Sequence, residues 1–291
     1  MKLINPFTAE GNWYKAQFHA HTTRSDGVLP PEELVRRYKE KEFNIVAITD
    51  HRLVADAGHL CSENLLVVNG AEVHPACGLS NEVYHLVCLN LPVDFAINES
   101  MNANEMIKAV KAAGGEVILA HPYWIGLTMV DILTLEGLIG MEVFNSVCMD
   151  IGKGLNSVHW DNMLAAGRIL PAVATDDVHK ERHMFGGWTW LKMKELTVEF
   201  LMDALRNGCY YASSGPEIYD FRVTDGWASV KCSPAAEVYF MCKGWSGFRV
   251  QAEGGKLVEE AHWQITPDAG YVRVEVIDGK GKKAWTNPVM L

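Results

Sequence analysis

Six apolar runs of this chain end in, or run into, a histidine or a carboxylate, and this limits the possible folds more than any other feature. Residues 17–21 carry His19 and His21, and residues 44–49 end in Asp50-His51. Residues 65–68 lead to Glu72, 116–120 to His121, 140–145 carry Glu142, and 169–175 end in Asp176-Asp177-Val178-His179. Helical patterns lie between them. One follows Pro30-Pro31, with Glu32 and Glu33 at its positive end and Lys39 and Lys41 at its negative end. Others are expected over 103–113 before Gly114-Gly115, over 158–166 before Gly167, and over 198–207 between Thr197 and Gly208. Strands alternating with helices imply a parallel β/α architecture, and a barrel gathers the C-terminal ends of its strands at one mouth. His85 is the exception: it lies early in the run 83–89, so that strand enters from a loop or runs differently.

In an extended strand, side chains two apart share a face. His19 and His21 therefore point together, and two protonated imidazoles on one face repel. A divalent cation relieves that conflict, because neutral imidazole is a good ligand for zinc, iron or manganese ions. Asp26, on the turn beyond, offers a hard oxygen. The alternative for any one strand histidine is a hydrogen-bonded core residue.

From residue 213 the pattern changes. Strand-like runs at 221–223, 228–230, 238–240, 248–250 and 271–276 are separated by Gly, Pro and Asp turns, with no helical pattern between them. That spacing predicts a barrel over 1–212 and a small all-β sandwich over 213–291. No Ser/Pro-rich linker separates the two, so a fixed interface is expected. The net charge of −10 disfavours broad binding of nucleic acid or anionic membrane. No run of eighteen apolar residues occurs, and the first residues have no signal-type apolar stretch. The seven cysteines show no C-x-x-C spacing and mostly sit in apolar surroundings, which points to a reducing cytoplasm.

The stretches FHAHTTRSDG, AITDH, GAEVH, VILAHP, MEVFN and ATDDVH, in that order, resemble the PHP (polymerase and histidinol phosphatase) family of metal-dependent phosphoesterases. The resemblance covers residues 13–212, and 284–288 resembles the end of a β appendage found in several members. It implies a distorted (β/α)7 TIM-like barrel holding two or three divalent ions (Zn, Mn or Fe). His19, His21, Glu72 and Asp177 would hold the first ion. Glu72 would bridge to a second ion held by His85 and His121, and Asp26, His51 and His179 would hold a third. The D-x-H spacing favours Asp177 over its neighbour Asp176. Glu142 matches a recurrent family position and is expected to orient a ligand or water. His74 shares a strand face with Glu72 and could be a ligand, yet the family pattern gives it no role, so a hydrogen-bonded histidine behind the ligands is favoured. Mixed imidazole and carboxylate donors suit such ions and do not suit a closed thiolate site.

The implied reaction is hydrolysis of a small phosphorylated substrate by a metal-bridging hydroxide held by Glu72, His19, His21 and Asp177. Metals about 3.5–4 Å apart lower the pKa of such a water and clamp phosphate oxygens. Arg24, Arg182 and His183, on turns beside ligands, are candidate phosphate contacts or ordinary solvated charges. An amidohydrolase-like barrel also opens with His-x-His but usually needs a strand-end lysine, which is missing here. A non-catalytic scaffold with a partner-binding β module would be expected to have lost ligands, and every expected ligand is present. Ser213-Ser214-Gly215 lacks the strand–turn–helix setting of a nucleophile elbow. The sequence assigns neither a particular substrate nor an oligomeric state.

Overall fold

The computed structural model describes residues 3–76 and 82–291. Cys77 and the Gly/Asn turn expected at 78–81 lie outside the described residues. The chain begins with β1 (Asn12–Gln17), α1 (Pro31–Glu40), β2 (Ile45–Ile48), β3 (Leu66–Val73) and β4 (Leu86–Leu89). Next come α2 (Ala103–Ala112), β5 (Glu116–Leu119), the short turns α3 (Pro122–Ile125) and α4 (Met129–Ile132), and β6 (Gly140–Asn145). Then α5 (Ser157–Ala165), β7 (Ala172–Thr175), β8 (Trp188–Met193), α6 (Val198–Arg206) and β9 (Tyr210–Ser213) follow.

The helix ends follow local chemistry. Pro31 opens α1 with Glu32 and Glu33 in its first turn. Asn102 and Glu105 form a reciprocal capping box on α2, and the Thr197 hydroxyl accepts the Phe200 N–H to start α6. Gly114, Gly167 and Gly208, just beyond three helices, all have positive φ, the backbone glycine tolerates best.

The strands β1 to β7 neighbour one another in sequence order. The pairs β1–β2, β2–β3, β5–β6 and β6–β7 are parallel. At the mouth, the segments leaving β7 and β1 also pair in parallel. The Asp177 N–H donates to the His19 carbonyl (2.9 Å) and the His21 N–H to the Val178 carbonyl (3.1 Å). The result is a distorted seven-stranded barrel, with Phe18, Ala47, Val87, Leu89, Ile118 and Val173 among its buried apolar side chains.

Three expectations need correction. The run 83–89 is a strand only from Leu86, and β4 is antiparallel to both β3 and β5. Its start therefore lies at the end where its neighbours finish, which puts His85 at the mouth. The strand carrying the first motif ends at Gln17, and His19 and His21 follow in an extended segment with a single bridge at Ala20. Finally, β8 and β9, not read from the sequence as strands, extend the sheet antiparallel beyond β1. In β8 buried and half-buried residues alternate, a weaker signal than the fully buried runs of β2, β5 and β7.

The C-terminal part contains β10 (Ile218–Thr224), β11 (Trp227–Ala235), β12 (Glu237–Cys242), β13 (Gly247–Gln251), β14 (Val258–Gln264), β15 (Tyr271–Ile277), β16 (Lys283–Thr286) and β17 (Val289–Met290). The sheet β10-β11-β14 faces β13-β12-β15-β16, and Phe221, Val230, Phe240, Val272, Val274 and Val276 fill the space between them. This is the packing of a β-sandwich. β16 pairs with β9, so main-chain hydrogen bonds cross residue 213. The join is polar as well: Asn287 donates to the carbonyls of Gly208 and Tyr210 and accepts from the Ala172 N–H. The fully buried Arg273 makes two hydrogen bonds to Asp161 (2.8 and 2.7 Å) over the Trp160 ring.

Candidate metal centre

The ends of β1, β2, β3, β5 and β7 and the start of β4 bring seven of the chain's eleven histidines to the mouth. His19 Nε2 and His21 Nε2 lie 3.2 and 3.1 Å from Asp177 Oδ1, and each is 3.4 Å from Glu72 Oε2. Glu72 reaches His51 Nδ1 (2.9 Å) with Oε2, and His85 Nδ1 (2.7 Å) and His121 Nε2 (3.4 Å) with Oε1. Asp26, half exposed, stands 3.4 Å from both His51 Nε2 and His179 Nε2. The structure thus brings together all nine residues expected to hold metal.

His19 Nε2, both ring nitrogens of His21, His121 Nδ1 and Asp177 Oδ1 are buried and have no hydrogen-bond partner. Buried polar atoms are nearly always paired. Here imidazole nitrogens and carboxylate oxygens approach one another without hydrogen-bonding geometry, and a shared cation satisfies such an arrangement. The donor atoms of three sets each lie within 4.8 Å of one another: His19, His21 and Glu72; Glu72, His85 and His121; and His21, Asp26, His51 and His179. The cluster is therefore capable of binding metal. His74 also meets this spacing, with His51 and Glu72, and its Nε2 is 3.2 Å from His51 Nδ1.

Glu142 is buried, and its oxygens are already engaged. Oε1 is 2.7 Å from His19 Nδ1 and accepts the Thr175 hydroxyl, while Oε2 accepts the His121 N–H and the Asn145 side-chain amide. Asn145 also donates to Asp177 Oδ2 (3.1 Å). Glu142 thus fixes which His19 nitrogen faces the cluster. Asp176 points elsewhere. Its carboxylate accepts the N–H groups of Phe185, Gly186 and Gly187 and the Tyr38 hydroxyl. A Cβ on Gly187 would come within 2.7 Å of the Phe144 ring.

Charge follows this packing. Burial alone would lower the pKa of His19, but the Asp177, Glu72 and Glu142 carboxylates outweigh it and hold the imidazole well above its usual range. Burial lowers His21, with Asp177 opposing. Burial would raise Glu72 and Asp177, yet the surrounding imidazoles, His19 foremost, hold both below the ordinary carboxylate range. Asp176 has no such neighbours, and burial pushes it up to about 6 against its hydrogen bonds. His121 and Asp177 both have positive φ. Strained backbone of this kind costs about 1–3 kcal/mol per residue and persists where the surroundings enforce it.

A cavity of about 420 Å³ opens over the cluster, within the usual size for a small-ligand pocket. Arg182 and His183 line it, both paired with Asp150 (2.6 and 3.2 Å). Arg24 is exposed and is not among the lining residues. Sequence reasoning missed Trp124, Cys148 and Lys180, which line the cavity, and Asn145 beneath it. Trp124 and Lys180 each lie within three residues of a ligand-type histidine, the one signal that could have flagged them. His59, His159 and His262, outside every motif, lie outside the cluster.

Residues 17–153 match the PHP domain family, and the chain belongs to that family. Over 148 residues it is 30% identical to Uncharacterized protein MJ1587 of Methanocaldococcus jannaschii, spanning 47% of this chain and 84% of that protein. Over 81 residues it is 38% identical to the 5'-3' exoribonuclease Rnm of Escherichia coli strain K12, but this covers only 26% of this chain and 27% of the nuclease. A two-domain protein containing a predicted PHP-like metal-dependent phosphoesterase from Bacteroides vulgatus ATCC 8482 has the same fold. The TM-score is 0.58 at 15% identity, over 99% of this chain and 98% of that one. That likeness takes in the barrel and the β-sandwich together.

Proposed function

We propose that this protein hydrolyses the phosphate ester of a small phosphorylated compound, a phosphomonoester or a nucleotide, at the barrel mouth. The observation that carries this is the set of buried, unpartnered imidazole and carboxylate atoms at and beneath a cavity that Lys180, Arg182 and His183 also line. His19, His21, Glu72 and Asp177 would hold one divalent ion, Glu72, His85 and His121 a second, and Asp26, His51 and His179 a third, with Zn, Mn or Fe suiting these donors. Such ions would make a water more acidic and offset the charge of the phosphate oxygens. Glu142 keeps His19 Nδ1 engaged, so that Nε2 stays directed at the centre. Lys180 supplies positive charge at the rim of a chain whose net charge is −10. That overall charge favours a compact substrate over a long nucleic-acid backbone. Six described cysteines are unpaired, in keeping with a reducing compartment such as the cytoplasm.

The test is release of inorganic phosphate from a panel of monoesters and nucleotides by protein loaded with Mn, Zn or Fe, alongside elemental analysis. Turnover by a chain carrying at least two ions, lost in His19→Ala, is expected. A fully loaded protein that releases no phosphate from any member of the panel would refute the reading.

A further inference from the structure

The cavity lining is mixed in chemistry: Arg182, His183, Lys180 and Asp150 bring charge, and Trp124, Val147 and Ile151 bring apolar surface. Trp124 is placed by the chain turn that follows β5. α3 begins directly after His121, and the Trp124 N–H bonds back to the His121 carbonyl (3.0 Å). This holds the indole against the metal-site histidines, with ring centroids 5.3 Å from His121 and 5.8 Å from His85, both near perpendicular. Even so, Trp124 remains 43% exposed and Ile151 63% exposed.

A tryptophan needed only to steady two imidazoles would gain by being covered, since buried apolar area stabilises at roughly 25 cal/mol per Å². Here part of the ring is left open, and it lines the cavity in which the ester must sit. An aromatic side chain that packs against two imidazoles and still lines a ligand cavity can act as a stacking platform, which accepts any flat π-system.

We infer that Trp124 is a specificity-determining residue, and that the phosphate ester taken by this cavity has a leaving group that carries a planar aromatic ring, a nucleoside with its base or a phenol. The flat group packs on Trp124, with Val147 and Ile151 completing the apolar wall, while the phosphate lies over the histidine–carboxylate cluster. This rests on the phosphoesterase reading and narrows its substrate.

The experiment compares kcat/KM of the metal-loaded protein for a nucleoside 5′-monophosphate, p-nitrophenyl phosphate and glycerol phosphate, in wild type, Trp124→Ala and Trp124→Tyr. Calorimetric binding of the nucleotide and of glycerol phosphate runs in parallel. In Trp124→Ala the ratio of kcat/KM for either aromatic ester to that for glycerol phosphate is expected to fall about tenfold. Trp124→Tyr should restore most of that ratio, and metal content should not change. A nucleotide preference with no p-nitrophenyl preference would assign the wall to nucleosides, and the reverse to aryl esters. Equal losses on all three esters, or an unchanged ratio, would overturn the inference and leave Trp124 as a support for His85 and His121. If wild type cleaves none of them yet binds the nucleotide through Trp124, the phosphoesterase reading fails and the aromatic subsite stands. If nucleotide binding is no tighter than glycerol phosphate binding and does not depend on Trp124, the subsite fails.

Discussion

Between the two sheets of the sandwich, Phe221, Val230, Phe240, Val272 and Val274 are almost wholly buried, and their side chains pack in one apolar cluster. At the barrel mouth His19, His21, Glu72 and Asp177 are buried to a similar degree, yet several of their polar atoms have no hydrogen-bond partner. The same removal from water has opposite consequences. In the sandwich it stabilises the fold in proportion to area. At the mouth it leaves polar atoms unpaired, which costs free energy that a bound cation would offset, and two residues there add backbone strain. One region therefore contributes stability, and the other spends it on preparing a binding centre.

Four substitutions would break or sharpen this division. Asp177→Asn removes the charge facing His19, His21 and His121. It should lower kcat/KM about ten-thousandfold, roughly 5.5 kcal/mol, with the thermal midpoint of the metal-free protein unchanged or raised. A large drop in that midpoint would show that the mouth stabilises the fold after all. Phe240→Ala, in the sandwich core, should cost about 3–5 kcal/mol in urea unfolding, with ions per folded chain unaltered. Loss of metal from this variant would mean that the two regions are not energetically separate. Glu142→Gln should weaken metal binding about thirtyfold, within the range seen when a ligand loses the group that orients it, and a competition titration with a chelator would read it. Asp161→Ala, at the join, leaves Arg273 with Glu275 (3.6 Å) as its one carboxylate partner among the described residues and should cost about 1.5 kcal/mol. Unfolding that splits into two transitions in this variant would show that the Arg273–Asp161 pair couples barrel and sandwich.

Much of the site could be read from the sequence because metal ligands are short-range signals. An imidazole or carboxylate closing an apolar run is conspicuous, and six such runs in order give both the rhythm and the residues. His85 was harder. Its position early in a run is puzzling until β4 is seen to run antiparallel, which carries its start to the mouth. The D-x-H spacing favoured Asp177 over Asp176, and the fold gives the two carboxylates different surroundings: one faces histidines, the other holds the 185–187 loop. Arg24 shows the limit of proximity in sequence, since a residue on a turn beside a ligand need not line the cavity. β8 escaped notice because half-buried alternation resembles many exposed segments.

Taken alone, the sequence determined the residue types, the strand–helix order as far as β7, several helix ends and the change to an all-β pattern after residue 213. These depend on neighbours a few positions apart, where the backbone dictates which side chains share a face. Only the tertiary structure decided the direction of β4, the pairing of β9 with β16, the engagement of Glu142, and the placing of Trp124, Lys180 and Ile151 around one cavity. Each of these joins segments far apart along the chain. Such contacts depend on how whole strands and turns pack in space, and no local spacing encodes that.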